Sequence, residues 1–284
     1  MSPPPKNVAI LCNPLAGSGR ARQCVTYILG ELQARGIRHL VFDRNWPPDL
    51  YGFTEAWIAG GDGTVHYFIN AYPELSIPFA VFPGGTGNDF HRFLYGRLSP
   101  GALLDRVLQS VPRFVDVGRC NGKYFLNIAG AGFEGSVVKS MQGRKKLPGK
   151  ASFLWTVLRN IASYRPQYYE IAGDGIAATG HFLMVSVANG RTAGGGFRIS
   201  PDSRIDDGLL NVVLVRDVPL LARLRYLPVI EKGQHLALPF VQHATTRGLV
   251  VTSDTPIPFH LDGEYAQDDS LAIDVLRHRV RVLY

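Results

Sequence analysis

Short apolar runs alternate with a helical pattern through the first part of the chain. From Arg20 to Arg35, apolar residues recur at the three- and four-residue spacing of one helix face, and Gly36 ends the pattern. Strands that alternate with helices predict an α/β domain with a parallel sheet, in which the loops at the carboxyl ends of the strands form a site. The predicted strands are Val8–Cys12, His39–Phe42, Trp57–Ala59 and Phe79–Phe82.

The second crossover of this domain is predicted to be abbreviated. Only a short segment containing Asn45-Trp46-Pro47-Pro48 separates the second strand from the third, which leaves little room for a full helix. The second strand is therefore expected to be followed by a shortened connection in place of the usual helix.

The pattern changes near Val115, beyond which short β-rich runs are separated by Gly, Pro or Asp turns. This spacing predicts a second domain that is an antiparallel sandwich or barrel-like structure. Two helices are predicted within it, at Ser152–Tyr164 and Leu220–Lys232. We predict a first domain over residues 1–117, to which 277–284 return as a strand, and a β-rich domain over 118–276. The runs predicted as strands are Phe182–Ala188, Leu210–Val215, Gly248–Val251 and Leu271–Leu276.

Glycine-rich loops follow three of the first four strands, at Asn13–Gly19, Gly60–Thr64 and Pro83–Asp89. Glycine loses more backbone entropy on folding than other residues. Each cluster therefore either makes a tight turn or lets a ligand approach the backbone. Because the carboxyl ends of parallel strands meet at one edge, the N–H groups and helix amino termini there would form an anion cradle. We expect a nucleotide phosphate site.

Other phosphate-binding and kinase motifs fit the chain poorly. Gly143–Ala151 has neither the spacing of a P-loop nor a hydroxyl after its lysine. Gly130–Gly135 matches G-x-G-x-x-G, but no acidic residue occurs between Glu134 and Glu170, so the ribose-binding carboxylate is missing. We interpret this run as close-packed turn sequence. The H-R-D and D-F-G motifs of protein kinases are absent.

Four motifs in order along the chain carry a family resemblance. They are GGDGT at 60–64, PGGTGND at 83–89, the stretch Ala188–Val215, and LDGE at 261–264. Together they resemble the diacylglycerol kinase catalytic family, which includes bacterial lipid kinases and the sphingosine and ceramide kinases. NAD kinases are more distantly similar, in the GGDG loop and the two-domain plan. The resemblance implies an NAD-kinase-like α/β domain with a parallel sheet, followed by a mainly antiparallel β-sandwich.

The resemblance also implies ATP and Mg²⁺ at the glycine-rich loops. Carboxylates beside a triphosphate would repel it without a cation, and Mg²⁺ prefers carboxylate and phosphate oxygens while keeping several waters. The family places a magnesium and water network on Asp62, Asp89 and Asp116, although Asp116 alone is equally well explained as a turn residue. The nucleotide-binding residues implied are Asn13, Pro14, Gly17, Gly60, Gly61, Asp62, Gly63, Thr64, Thr86, Asn88 and Asp89.

A second, structural magnesium is implied at the Asp207 carboxylate. The backbone carbonyls of Arg204 and Leu209 would complete this site. The alternative is an ordinary Asp-Gly turn, which needs no ion.

The resemblance makes Glu264 the general base that accepts the proton of the alcohol, with Asp262 beside it and Asp62 as a further catalytic carboxylate. Phosphoryl transfer needs mainly positioning and neutralised charge, with one group to take that proton. A polar β-turn is the alternative for LDGE. The first loop departs from related bacterial enzymes, because Ala16 and Ser18 stand where a hydroxyl and a basic residue are usual.

Composition and charge limit the classes of binding partner that the chain can have. The formal net charge is +7 and the pI about 9.4, which suits an anionic substrate, an anionic membrane surface or nucleic acid. No nucleic-acid motif is present, and the basic residues form no run longer than Arg144-Lys145-Lys146, so we expect no nucleic acid partner. Three cysteines and an amino terminus without a secretory segment predict a reducing, cytoplasmic location.

The function predicted from the sequence is that of an ATP- and Mg²⁺-dependent lipid kinase acting on a primary hydroxyl of diacylglycerol or a related lipid. We expect it to lie peripherally on the inner membrane surface, since both predicted helices of the second domain mix apolar residues with arginine. A homodimer is left open. The alternatives are a sphingoid-base or ceramide kinase, an NAD kinase, and a catalytically silent nucleotide- or lipid-binding module.

Overall fold

The structure is a computed structural model that describes residues 5–142 and 150–284. The chain divides into two compact units, which we call unit 1 (residues 1–115 and 278–284) and unit 2 (residues 116–277). Residues 143–149, which include the basic run and most of the P-loop-like sequence, lie outside the described residues.

The elements alternate in unit 1 and are mostly strands in unit 2. In chain order they are β1 (Asn7–Cys12), a 3-10 turn (Ala16–Gly19), α1 (Arg20–Ala34), β2 (Arg38–Phe42), β3 (Glu55–Gly60), α2 (Asp62–Ala71), β4 (Phe79–Pro83), α3 (Asp89–Tyr95), α4 (Pro100–Gln109), β5 (Arg113–Cys120), β6 (Lys123–Phe125), β7 (Ile128–Gly132), α5 (Phe133–Met141), α6 (Lys150–Ser163), β8 (Gln167–Gly173), β9 (Ile176–Ala188), β10 (Leu210–Arg216), α7 (Leu220–Glu231), a second 3-10 turn (His235–Ala237), β11 (Val241–Thr246), β12 (Gly248–Leu261) and β13 (Glu264–Val282).

The strands of unit 1 pair in the order β2–β1–β3–β4, with every pair parallel. Val282, near the end of β13, adds a further parallel pairing beside β4 through Phe79. All six residues of β3 are buried, as are five of the six in β1. Continuous apolar strands are typical of parallel sheets that are covered on both faces, so β1 and β3 form the core of this unit.

The crossover from β2 to β3 contains no helix, as its length predicts. The indole of Trp46 occupies this segment and packs near the rings of Tyr67 and Phe68 on α2 and of Tyr72 directly after it. Leu40 on the edge strand β2 remains 57% exposed. A single aromatic side chain therefore covers part of the surface that a crossover helix would bury.

Unit 2 is built on antiparallel strands in the order β11–β10–β9–β7–β12, and β8 pairs with both β9 and β12. Alternate residues of β9 enter different apolar clusters: Val185 and Val187 belong to one, and Met184 and Ala188 to another. Because successive side chains of a strand point to opposite faces, both faces of this sheet are buried. Helices α6 and α7 supply apolar side chains to the second cluster.

Two parts of unit 2 differ from the sequence prediction. Gly130–Gly135, interpreted as turn sequence, ends β7 and begins the nine-residue helix α5. The predicted short strands at Gly248–Val251 and Leu271–Leu276 are parts of β12 and β13, which contain 14 and 19 residues. Among the helices in the described part of the chain, none is long and apolar enough to span a bilayer.

Candidate active site

The three glycine-rich loops of unit 1 pack backbone against backbone. A Cβ on Gly85 would lie 2.3 Å from the Cα of Gly61, and one on Gly17 would lie 2.2 Å from the carbonyl oxygen of Gly84. The N–H of Gly84 also donates to the carbonyl of Gly60 over 2.8 Å. Side chains at these positions would force the loops apart, so glycine lets the ends of β1, β3 and β4 share one edge.

Two carboxylates flank the loop between β4 and α3. Asp62, the first residue of α2, accepts the N–H of Phe90 through Oδ1 at 3.1 Å. Its Oδ2 lies 2.7 Å from the position that a Cβ on Gly87 would take, and Oδ2 of Asp89 lies 3.6 Å from the same point. Mg²⁺ is commonly held by one or two carboxylates together with phosphate oxygens and water. The pair fits the magnesium that the family resemblance implies.

Polar side chains link these loops to one another. Nδ2 of Asn13 donates to Oγ1 of Thr64 over 3.5 Å. The Arg20 guanidinium donates to the carbonyl of Gly17 over 3.0 Å and to Oγ1 of Thr86 over 3.5 Å. Arg20 is not among the predicted site residues, because a basic residue was expected within the Asn13–Gly19 loop itself. The signal was the position of Arg20, directly after Gly19 at the start of α1.

The remaining predicted nucleotide-binding residues hold the shape of the loops. Asn88, in the left-handed conformation with φ 54°, accepts the N–H of Gly85 over 2.8 Å and donates to its carbonyl over 3.0 Å. Pro14 lies in the turn after β1, and Gly63 lies in the first turn of α2. The amino terminus of α2, capped by Gly61, lies in this loop, and the N–H groups and dipole of a helix amino terminus favour a bound anion.

The Asp262-Gly263 turn of unit 2 joins β12 to β13 and carries Glu264. Both turn residues have positive φ values, 52° and 91°. The Asp262 carboxylate accepts the backbone N–H groups of residues 126, 127 and 128 over 2.8–3.0 Å. Glu264 is exposed at the start of β13. The turn is thus fastened by Asp262 and presents Glu264 to solvent, where a carboxylate can accept a proton.

Asp116 lies in unit 2 and contacts the 204–209 loop. Its N–H donates to the carbonyl of Ile205 over 2.7 Å, and its Oδ2 accepts the N–H of Gly208 over 2.6 Å. The side chain is fully buried. Asp116 therefore stabilises the loop that carries the predicted structural magnesium.

Of the three magnesium ligands predicted in the 204–209 loop, only Asp207 supplies a carboxylate. Asp207 is exposed and its Oδ1 accepts the N–H of Leu209 over 3.0 Å, which is the geometry of an Asx turn. Arg204 makes an exposed ion pair with Asp206. Among the residues that the structure describes, no three His, Cys, Asp or Glu side chains cluster as a metal site. The structural magnesium at Arg204, Asp207 and Leu209 stays a prediction.

Two family models match the chain. Residues 7–120 match the diacylglycerol kinase catalytic domain, and residues 127–284 match the YegS C-terminal NAD kinase beta sandwich-like domain. The crystal structure of a diacylglycerol kinase from Bacillus anthracis has a TM-score of 0.75, with 21% identity, and the match covers 100% of this chain and 98% of that one. The fold is therefore the two-domain fold of these proteins, with a β-rich second domain.

Similar sequences carry lipid kinase names. The chain is 34% identical over 240 residues to a Pseudomonas fluorescens protein named "Probable lipid kinase YegS-like", a match that covers 81% of this chain and 77% of that protein. It is 30% identical over 281 residues to a diacylglycerol kinase of Mycobacterium tuberculosis, covering 91% and 89%. The order of the glycine loops, the Asp-Gly turns and the LDGE segment is thereby explained: the chain belongs to the diacylglycerol kinase family and is a lipid kinase.

Proposed function

We propose that this lipid kinase transfers the γ-phosphoryl group of ATP to a primary hydroxyl of diacylglycerol or a closely related lipid, with Mg²⁺. The observation that carries the nucleotide and metal part is the placement of Asp62 and Asp89 around Gly87, within loops that glycine packs together. Mg²⁺ would be held by these two carboxylates and would neutralise charge on the phosphate oxygens.

The protein supplies positioning and one proton acceptor. The N–H groups at the start of α2 and the Arg20 guanidinium offer donors to the phosphates, and Thr86 is held beside Arg20. Glu264 accepts the proton of the attacking hydroxyl, for which its exposed position on an anchored turn is suited. Asp262 serves the reaction through the turn, since its carboxylate is already engaged by three backbone N–H groups.

Two helices of unit 2 support docking on an anionic bilayer. Trp155 on α6 is 70% exposed and Leu221 on α7 is 80% exposed, so each helix presents a large apolar side chain to the solvent. Exposed Arg159 and Arg225 lie on the same helices and would attract lipid phosphates. Arg223 is different: it donates to the carbonyls of Ile161 and Tyr164 and so ties α7 to the end of α6.

The acceptor is identified with labelled ATP, Mg²⁺ and vesicles that contain diacylglycerol, ceramide or a sphingoid base, with NAD as a soluble acceptor in a parallel reaction. We expect label in the diacylglycerol product. Label in NAD or in a sphingolipid would replace the substrate assignment. Absence of label from every acceptor, including a total lipid extract, would support a catalytically silent binding module.

The role of Glu264 is tested with Glu264→Gln beside Asp269→Asn. Both residues are exposed on β13, and both substitutions remove one negative charge. We expect kcat to fall by about 100-fold for Glu264→Gln, the usual contribution of a general base, and to stay near the original value for Asp269→Asn. Equal effects would contradict a specific role for Glu264. The cytoplasmic, peripheral location is tested by cell fractionation, and the homodimer by sedimentation.

A further inference from the structure

The G-x-G-x-x-G run at Gly130–Gly135 has a structural role that the proposed kinase mechanism does not explain. A Cβ on Gly135 would lie 2.2 Å from the carbonyl oxygen of Pro258, so α5 packs directly on the backbone of β12. Gly132 has φ +78°, which turns the chain from β7 into α5. The first glycine, Gly130, makes space for the carboxyl group of Glu134.

Gly130 lies at the centre of a row of three residues that are paired across neighbouring strands. It pairs with Ser186 on β9 and with His260 on β12. Directly paired residues point to the same face of a sheet. Because Gly130 has no side chain, the space above it is filled by its neighbours: Oε2 of Glu134 and Nε2 of His260 lie 2.3 Å and 2.6 Å from the position that its Cβ would take.

The Glu134 carboxyl group has a polar partner on β9. The hydroxyl of Ser186 donates to its Oε2. Ser186 is fully buried and His260 is 5% exposed. A buried carboxyl beside two buried hydrogen-bonding side chains is costly unless those groups satisfy one another. A leucine at position 134 would fill the same space, so the polar arrangement needs another explanation.

The other ring nitrogen of His260 contacts the turn that carries Glu264. The N–H of Gly263 donates to Nδ1 of His260 over 3.2 Å. A nitrogen that accepts a hydrogen bond carries no proton, so the neutral ring has its proton on Nε2, the nitrogen that faces Glu134. The ring thus lies between the space beside the Glu134 carboxyl and the backbone of the turn.

We propose that Glu134 is a positioning residue for Glu264: its carboxylate holds His260 in the Nε2–H tautomer, and His260 in turn holds the Gly263 N–H and the turn that carries Glu264. The catalytic part of this proposal depends on the proposed role of Glu264 as general base. The orientation of His260 by Glu134 does not depend on it.

Protonation would interrupt this chain of contacts at either end. A protonated Glu134 can turn its O–H, a donor, towards Nε2 and so favour the tautomer with the proton on Nδ1, and a proton on Nδ1 of His260 displaces the Gly263 N–H. Burial raises the pKa of Glu134 from 4.5 to about 7, although its contact with Ser186 lowers it. Activity should therefore decrease as pH falls through about 7.

Other titratable groups lie on the elements that pack near α5. Near Gly132 lie the hydroxyls of Tyr164 and Tyr169, and burial raises the pKa values of both, that of Tyr164 to about 12. Lys139, on the same helix, lies over the ring of Tyr265. Arg159 on α6 is exposed.

The tautomer of His260 is tested first, by nitrogen NMR of the imidazole in the full-length chain. We expect a protonated Nε2 and an unprotonated Nδ1 in the original protein and in Glu134→Gln, whose amide oxygen still accepts a hydrogen bond. In Glu134→Ala we expect mixed tautomers and faster hydrogen exchange at the Gly263 amide. Val137→Ala is the control, because it shortens another buried side chain of α5 without touching His260. An unchanged tautomer in Glu134→Ala would overturn the proposal.

Kinetics then test whether Glu134 acts through His260. We expect kcat to fall about tenfold in Glu134→Ala, with the KM for ATP unchanged, as for a misplaced catalytic group. In His260→Asn the amide oxygen replaces Nδ1 as acceptor for Gly263 without reaching Glu134. Adding Glu134→Ala to that variant should then have almost no further effect. Glu134→Gln should abolish the loss of kcat below pH 7. Independent, multiplying effects or an unchanged pH profile would overturn the positioning role.

A failure of the kinase proposal gives a different result. If neither the original protein nor any variant phosphorylates a lipid, the proposed role of Glu264 is wrong. The NMR measurement then still decides whether Glu134 orients His260. If the original protein is active and the tautomer is independent of Glu134, the kinase proposal stands and the positioning role fails.

Discussion

Asp262→Ala removes the acceptor of three buried backbone N–H groups. Residues 126, 127 and 128, which donate to this carboxylate, are at most 4% exposed. Each unsatisfied buried N–H costs at least about 1 kcal/mol, and alanine in the left-handed conformation adds about 1 kcal/mol. We therefore expect the free energy of unfolding to fall by about 4 kcal/mol. Asp262→Asn keeps one oxygen and the favourable backbone conformation, so it should cost about 1–2 kcal/mol.

The measurement is urea unfolding followed by circular dichroism, together with hydrogen exchange of the 126–128 amides. Glu264→Ala on the same hairpin is the control, since an exposed side chain should change stability by less than about 0.5 kcal/mol. A cost below about 1 kcal/mol for Asp262→Ala, or unchanged exchange at 126–128, would refute the reasoning. Asp262 would then be available for a direct catalytic role.

Three further outcomes are expected. The Cβ of Gly85→Ala would lie 2.3 Å from a neighbouring Cα, so this variant should bind ATP at least tenfold more weakly by calorimetry, a loss of about 1.4 kcal/mol. Gly30→Ala on α1 is the control, because nothing lies within 4 Å of its Cβ position; it should leave ATP binding unchanged and stabilise the helix. The raised pKa of Glu134 means that this carboxyl binds a proton more tightly in the folded protein than in the unfolded chain. The free energy of unfolding should therefore fall by about 3 kcal/mol as pH rises from about 4.5 to about 7. Glu134→Gln should flatten this dependence when unfolding is measured at a series of pH values. Trp155→Ala should weaken vesicle sedimentation about tenfold, as loss of a buried aromatic anchor does, without changing nucleotide binding, and equal sedimentation of both proteins would contradict the docking surface.

The parts of the fold that local pattern determines were predictable. The predicted helix at Arg20–Arg35 is α1 at Arg20–Ala34, and the apolar runs of the first unit are β1 to β4 within two residues at each end. Their periodicity is set by burial on a regular element, which the sequence displays directly. The abbreviated crossover was predictable from length, since the segment between the second and third strands leaves little room for a full helix.

The missed helix α5 shows where local pattern fails. It begins beside Gly132 and contains Gly135, and glycine disfavours helices by about 1 kcal/mol. Gly135 is nevertheless required, because α5 contacts the backbone of β12 at Pro258. Pro258 also lies inside a 14-residue strand, although proline is usually excluded from strand interiors. Tertiary packing overrides propensity at both residues.

The roles of the site residues depended on contacts between distant parts of the chain. The motif placed Asp262 beside Glu264, but the sequence could not show that its carboxylate is engaged by residues 126–128. The pairing of Gly130 with His260 is similarly long-range. The family resemblance identified which carboxylates matter, whereas the structure distinguishes an anchored carboxylate from an exposed one.

The return of the chain to unit 1 has a consequence for biosynthesis. Leu283 donates its N–H to the carbonyl of Phe79 over 2.8 Å and accepts the hydroxyl of Tyr95 over 2.6 Å, while Arg279 forms an ion pair with Glu74. These partners leave the ribosome long before residues 278–284 are translated. Unit 1 therefore stays incomplete until the whole β-rich unit has been synthesised, and premature termination anywhere in between yields a nascent product in which β4 pairs with β3 but not with the end of β13.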